Sequence, residues 1–353
     1  MARLRRSEEM GMTANIRDAV LRGHFTLRAP MSHIGESIST TAYLAQAPVV
    51  QPGGGIEQVF RYSGNAWRGQ LRDESARYML ERIGVSSISL QVFHLLFAGG
   101  AIGGEQAVDI AAARAWRRAI PHLRLFGGGV GNQILPGSLR VSNCLPVCRE
   151  AWPALLHTDR DEAMRTSYRA LTYEDSFTRK DDSKDDRVAG WLGAPTAPAL
   201  PQPQAAALPG MGAEPEPKKK GYKEPKEAPP EQMRTTVELV AAGTRLETRL
   251  QVMDADEVLL GCLVAAVAHW GRSPHIGGQA NRGHGLADVR YDLLDQETGE
   301  IRPFLAAGAS GTEMSAEAEA ARAAYDTHLR EVYDAMLAER GGEMARMLGA
   351  AVA

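Results

Sequence analysis

Lysine is almost missing from this chain outside one interval: all seven lysines fall between Lys180 and Lys226. Cysteine is scarce too, and its count of three is odd, which argues against a disulfide framework and for a reduced interior. No stretch reaches the ~18 apolar residues that a spanning helix needs; "VLLGCLVAAVAHW" is too short. The arginines of "MARLRRSEEMGM" are not followed by an apolar run, so no secretory leader is expected. These absences exclude the membrane-spanning and disulfide-stapled classes and point to a cytoplasmic protein. What is present, 44% hydrophobic and 24% charged residues over 353 positions, suits a soluble chain with a sizeable core and room for two domains.

The net charge of −3 hides a division. Residues 1–170 hold 20 arginines, no lysine and 14 acidic residues, a net of +6, so the remainder carries −9. Arginine presents a planar fork that pairs with phosphate and stacks on bases, whereas lysine is a point charge. An arginine bias of genomic origin would give the same count. Ten of the 19 prolines lie between Pro195 and Pro230. That composition removes backbone donors and buries little apolar surface, so the interval reads as a mobile insertion or a linker. Val188, Trp191 and Leu192 are odd company for a linker.

The flanks read as one interrupted α+β domain. "AVLRGHFTLRA" alternates as a strand. "SGNAWRGQLRDESARYMLERIG" reads as a helix capped by Ser63 or Asn65, with Ala66, Leu71, Tyr78, Met79 and Ile83 as its buried stripe. "SLQVFHLLFA" and "EQAVDIAAARAWRRAI" are expected helices, and "GSLRVSNCLPVC" a strand. "TTVELV" and "TRLETRLQV" read as strand pieces about Gly243. Asp254 opens an apolar helix with an acidic first turn, "LADVRYDLL" is a last strand, and a long amphipathic helix follows from Ser315 with Tyr325, Leu329, Val332 and Met336 at helical spacing. Strand–helix–strand twice over is the ferredoxin-like pattern shared by RNA-recognition modules. The expected divisions are residues 1–172 and 235–300 as the halves of the core, 173–234 as the insertion and 301–353 as a helical extension.

Several constellations could carry chemistry. "HIGGQANRGHG" (His275–Gly285) has four glycines in eleven residues. A dinucleotide fingerprint needs a strand before and a helix after, and a Walker loop needs a lysine before Ser/Thr. Here a helix precedes, a strand follows and the lysine is lacking, so no nucleotide cofactor is expected. The loop is either a tight connection or a main-chain surface for an anion. Arg68 and Arg72, four apart, share a helix face near an N-terminus that suits phosphate; plain surface arginines would look the same. His33 in "APMSHIGES" reads as a general base, a metal ligand or a packed loop residue. Cys144, Cys148 and His157 loosely suggest zinc but offer no fourth ligand, and no metal is expected.

Taken in order, "LRAPMSHIGES", "YSGNAWRGQLRD", "LRLFGGG…GSLRVSNC" and "AAGTRLETRL…HIGGQANRGHGLADV" resemble the backbone subunits of class 1 CRISPR–Cas ribonucleoproteins. These belong to the repeat-associated mysterious protein (RAMP) superfamily. The matching family pieces are an HIG loop, a helix start of the form PGSSLKGxLR, an LFG turn and a glycine loop containing SRGxGkV. The resemblance spans roughly Ala19 to Leu294, and the proline-rich insertion makes type IV systems the nearest in appearance.

The resemblance implies a modified ferredoxin-like (RNA-recognition) βαββαβ core with helical insertions. Its copies would stack helically along a CRISPR RNA and present it, with other effector subunits, to a target nucleic acid. His33, Ser63, Gly64, Asn65, Trp67, Arg68 and Arg72 would face RNA. So would Gly277, Gly278, Gln279, Asn281, Arg282, Gly283 and His284, the two sets lining one groove. The insertion would be a thumb bearing Arg187 and Trp191, with Trp191 a candidate wedge between bases. Target-cleaving members carry an aspartate three residues after the HIG glycine, where this chain has Ile38. That implies a non-catalytic scaffold; the alternative is a RAMP ribonuclease using His33 and Glu36.

Overall fold

The computed structural model describes residues 17–85, 87–100, 110–130, 132–179 and 233–337. In chain order β1 (Arg17–Leu27) is followed by three hairpin-forming pieces, β2 (Ile34–Ile38), β3 (Thr41–Leu44) and β4 (Gln46–Val50), and then by β5 (Ile56–Phe60). Helix α1 (Gly64–Arg82) leads to α2 (Leu90–Phe97), α3 (Ile110–Ala119) and α4 (Pro121–Phe126). Short strands β6 (Gly128–Val130), β7 (Gln133–Leu135), β8 (Leu139–Val141) and β9 (Leu145–Pro146) come next, then α5 (Arg160–Ala163) and β10 (Thr172–Arg179). The chain continues with β11 (Met233–Val240), β12 (Arg245–Ala255), α6 (Glu257–Trp270), β13 (Ala287–Leu294), β14 (Ile301–Gly308), β15 (Gly311–Met314) and α7 (Ala316–Leu337). The fold is a mixed α+β one.

The main sheet runs β15-β14-β13-β1-β12-β8, with β9 also on β12, and its pairings are antiparallel. At its centre the first strand lies between the third and fourth of the set β1, β8, β12 and β13, with α1 and α6 as the connecting helices. Alternation explains which face they cover. Leu21, Phe25 and Leu27 of β1 are buried, whereas Arg22, His24 and Thr26 on the opposite face are only partly so. A second sheet runs β10-β11-β3-β2, and β4-β5 and β6-β7 are separate hairpins. Residues 1–175 and 237–353 make up one compact unit and 176–236 another. Of the latter the described ends meet through Ser176 Oγ and Thr236 Oγ1 at 3.0 Å. The expected thumb residues Arg187 and Trp191 lie outside the described residues.

Aromatic packing fixes α1 to the sheet. Trp67 is fully buried, edge-on to Phe25 at 5.0 Å and to Trp270 at 5.2 Å. Its indole N–H donates to Tyr291 Oη at 2.9 Å, so this large side chain leaves no polar atom unsatisfied. Helix α7 crosses α6 at Gly261, where a Cβ would stand 2.0 Å from the Ala321 carbonyl oxygen. Tyr78 and Arg82 of α1 both reach Asp326 of α7, at 2.6 and 2.7 Å.

Three expectations need correction. The segment from 301, taken as helical, begins with β14 and β15. Pro303 within "IRPFLAAG" is tolerated in a strand because it sits where the pairing with β13 shifts register, opposite Asp292. Helix α6 starts two residues later than expected, because Asp256 rather than Asp254 caps it, accepting from the Leu259 amide at 2.8 Å. Asp254 stays in β12 with φ of 50°. The buried stripe of α1 also includes Trp67, which the expected pattern left out.

Two outcomes follow from this packing. Gly261→Ala forces α7 away from α6 and should lower the unfolding free energy by about 1–3 kcal/mol, seen as a lower denaturant midpoint; an unchanged midpoint contradicts the close crossing. Burial holds His24 and His122 down at about 4, so both are neutral in the fold and protonate more readily when unfolded. Stability is therefore full above pH ~6.5 and falls as pH drops toward ~4, by on the order of 3 kcal/mol for the fully enclosed His122. Denaturation of wild type and His122→Asn across that range should show a shallower acid slope in the variant.

Candidate nucleic-acid interface

The N-terminal end of α1 gathers three segments that are far apart in sequence. Ser63 is the N-cap residue, with extended backbone, and its amide donates to His33 Nε2 at 3.4 Å. The Gly64 amide donates to Asn143 Oδ1 at 3.0 Å. Both donors belong to the set that a helix start leaves without intrahelical partners. Gly64 has a steric reason as well: a Cβ there would stand 2.6 Å from the carbonyl oxygens of Val141 and Ser142. It lets the helix end approach the strand backbone, and its side-chain position is not open to a ligand. Asn65 beside it is exposed.

His33 is half-buried and edge-on to Tyr62 at 5.0 Å. Burial, helped by Arg61, pushes its ring below the usual histidine value, so the neutral imidazole that accepts from Ser63 is favoured. Glu36 and Ile38 are exposed on β2.

The glycine loop folds over residues 30–32. Gly278 N–H donates to the Ser32 carbonyl at 2.7 Å, Gly285 to the Pro30 carbonyl at 2.8 Å, and Ile276 to the Gly285 carbonyl at 2.9 Å. Gly277 has φ of 76°, and a Cβ there would come within 2.3 Å of the Ser32 oxygen. At this position and Gly285 the tight-connection reading holds. Farther out, Gln279 and Gly283 take left-handed conformations about a single 3₁₀ turn, Ala280–Arg282. Asn281, Arg282 and Gly283 are exposed on that turn, with His284 half-buried behind it. The loop is tied to α1 by Gln70, whose amide nitrogen donates to the His275 carbonyl at 3.2 Å and whose oxygen accepts from Tyr62 Oη at 2.9 Å.

Arg68 and Arg72 lie elsewhere on the same helix. Both guanidinium groups aim at the Phe126 carbonyl, Arg68 at short range and Arg72 at 3.5 Å. They line a cavity of about 380 Å³ with Gly99, Gly129 and Gly137. The buried Nε of Arg72 has no hydrogen-bond partner. Burial lowers both pKa values; Arg72 further lowers that of Arg68, while Asp73 partly offsets the shift at Arg72. Two partly desolvated cations, offset in part by the Asp73 carboxylate beside Arg72, make this cavity attractive to an anion.

The expected single groove is corrected by helix geometry. At 100° per residue, Arg68 is about 160° around the helix from Gln70, so the arginines and the glycine loop occupy opposite flanks, with the ridge of Asn65 and Gly69 between them. Trp67 is corrected too: it is fully buried and cannot stack on a base. Asn143, Gln70 and the Phe126 carbonyl were missed. Only the Gly127–Gly129 run of the LFGGG motif hinted at the arginine cavity; Asn143 lies in the resembling segment "GSLRVSNC", but nothing there assigned it a contact.

No family model and no curated protein matches the chain. Among solved structures it is similar to a chain described as "Type IV-B CRISPR Complex", with 17% sequence identity and a TM-score of 0.49, over 77% of this chain and 90% of that one.

Proposed function

We propose that this chain is an RNA-binding backbone subunit of a class 1 CRISPR ribonucleoprotein, most like those of type IV systems, that holds a guide RNA by its phosphates and presents it for pairing. The observation that carries the reading is the meeting of residues 31–33, 62–64, 143 and 275–278 at one end of α1, because these are the segments on which the family resemblance rests. The strand order β13-β1-β12-β8 with its two connecting helices supports a ferredoxin-like core, although fold alone assigns no function. The exposed turn with Asn281 and Arg282 and the Arg68–Arg72 cavity supply cationic donors on either side of the helix start. A strand that used both would cross the ridge at Asn65. In this reading copies of the chain assemble along the RNA with other effector subunits.

The chain acts as a scaffold in this account. Ile38 stands where cleaving relatives have an aspartate, and it can neither orient water nor take a proton. His33 spends its Nε2 lone pair on the Ser63 amide, which leaves a poor base for Glu36 to assist.

The purified protein should carry RNA, read as nucleic-acid absorbance that ribonuclease removes. Binding should weaken steeply with salt and show little sequence preference. Arg68→Ala/Arg72→Ala and Asn281→Ala/Arg282→Ala should each reduce RNA affinity by about tenfold or more and flatten the salt dependence by about one contact per cation removed. Protein free of RNA, with no retention of a labelled guide at low salt, contradicts the proposal. Regularly spaced cleavage of a complementary RNA that Glu36→Ala abolishes would replace it with the ribonuclease reading.

A further inference from the structure

On the face of the main sheet away from α1, His24 of β1 and Glu247 of β12 are direct cross-strand partners. The segment after β9 lays His157 across them. Candidate ligand atoms of His24, His157 and Glu247 all lie within 4.8 Å of one another. His157 Nδ1 and Glu247 Oε2 are 3.7 Å apart, and both side chains are more than nine-tenths buried. We propose that these three residues bind a divalent transition-metal ion of the zinc class.

The hydrogen bonds assign the tautomers. His157 Nε2 faces the Gly23 carbonyl at 3.3 Å, and a carbonyl only accepts, so Nε2 carries the proton and Nδ1 holds a lone pair. That Nδ1 is buried with no hydrogen-bond partner. It faces a carboxylate oxygen 3.7 Å away, a pair that either a proton on Nδ1 or a shared metal ion would satisfy, and burial disfavours the proton. A metal suits the spacing: two ligand atoms about 2.0–2.1 Å from a tetrahedral ion are about 3.3 Å apart, a small adjustment from 3.7 Å. An imidazole that ligates through one nitrogen and donates the other N–H to a backbone carbonyl is the usual arrangement around zinc. His24 is held by a side chain, not by a backbone carbonyl. Thr158 Oγ1 gives its proton to Glu247 Oε2 at 2.7 Å and therefore accepts from His24 Nε2 at 3.1 Å, which leaves Nδ1 as the lone-pair nitrogen of His24.

Glu247 is fixed by the amides of Leu156, His157 and Thr158. The ion would tie this segment to β1 and β12 at once. Arg22, Arg245 and Arg249 act electrostatically on the two histidines and oppose a cation held by charge alone. That disfavours magnesium or calcium and favours a metal bonded to imidazole nitrogen. A cavity of about 540 Å³ lined by His24, Thr26, Arg245 and Asp288 adjoins the group on the His24 side. Cys144 and Cys148, the residues whose spacing suggested zinc, are outside this group.

Chelator-treated full-length protein titrated with cobalt(II) should bind one ion per chain and show visible ligand-field absorption. Zinc should displace the cobalt and raise the melting temperature. His157→Gln and His24→Gln, each verified as folded by circular dichroism, should weaken cobalt binding at least tenfold. No absorption and no zinc-dependent melting shift in the wild-type protein would overturn the proposal without reference to any variant. A thiolate charge-transfer band, or unchanged binding in both variants, would overturn it as well.

Discussion

The buried indole of Trp67 joins four elements that chain order keeps apart. It sits on α1, packs against Phe25 of β1 and Trp270 of α6, and hydrogen-bonds Tyr291 of β13. Burying so large a side chain is strongly favourable, and its single donor is satisfied, so the helix has one seating on the sheet. Gly64 then sets how close the start of that helix comes to the β8 end, because any side chain there would meet two carbonyl oxygens. The positions of His33, Asn143 and the glycine loop follow from those two constraints.

This seating turns one helix into a divider. Its N-terminal amides meet His33 and Asn143, one flank carries Gln70 and the glycine loop, and the other carries two arginines aimed at a carbonyl. Partial positive charge at the helix start and full charge on the arginine flank attract the same kind of ligand. Close main-chain packing on the loop flank limits contact there to the tip. A polymer with regularly spaced charges can address several such points at once, which a small anion cannot.

Much of the fold could be read from periodicity. β1, β12 and β13 alternate clearly, and α1 and α6 have distinct caps and apolar content. Short hairpins such as β6-β7 could not be read, since three-residue strands carry too little pattern and their pairing depends on distant chain. β14 was not read as a strand; Pro303 is acceptable there because of a bulge, which only the partner strand reveals. At the site, the glycines at 277 and 285 were legible as backbone requirements and Arg68 with Arg72 as one face. Trp67 was not, because a tryptophan beside a helix start reads equally as core or as a stacking surface. Asn143 and Gln70 act through contacts 79 and 205 residues away, which no local pattern records.

The central claim, that the gathered end of α1 meets the RNA backbone, is tested most directly by photo-crosslinking. The protein would be bound to RNA carrying evenly spaced 4-thiouridine and the crosslinked peptides identified by mass spectrometry. The account predicts crosslinks in the peptides containing Met31–His33, Ser63–Arg68 and Gln279–His284. Crosslinks confined to other surfaces, such as the β14-β15 edge of the sheet, would contradict it.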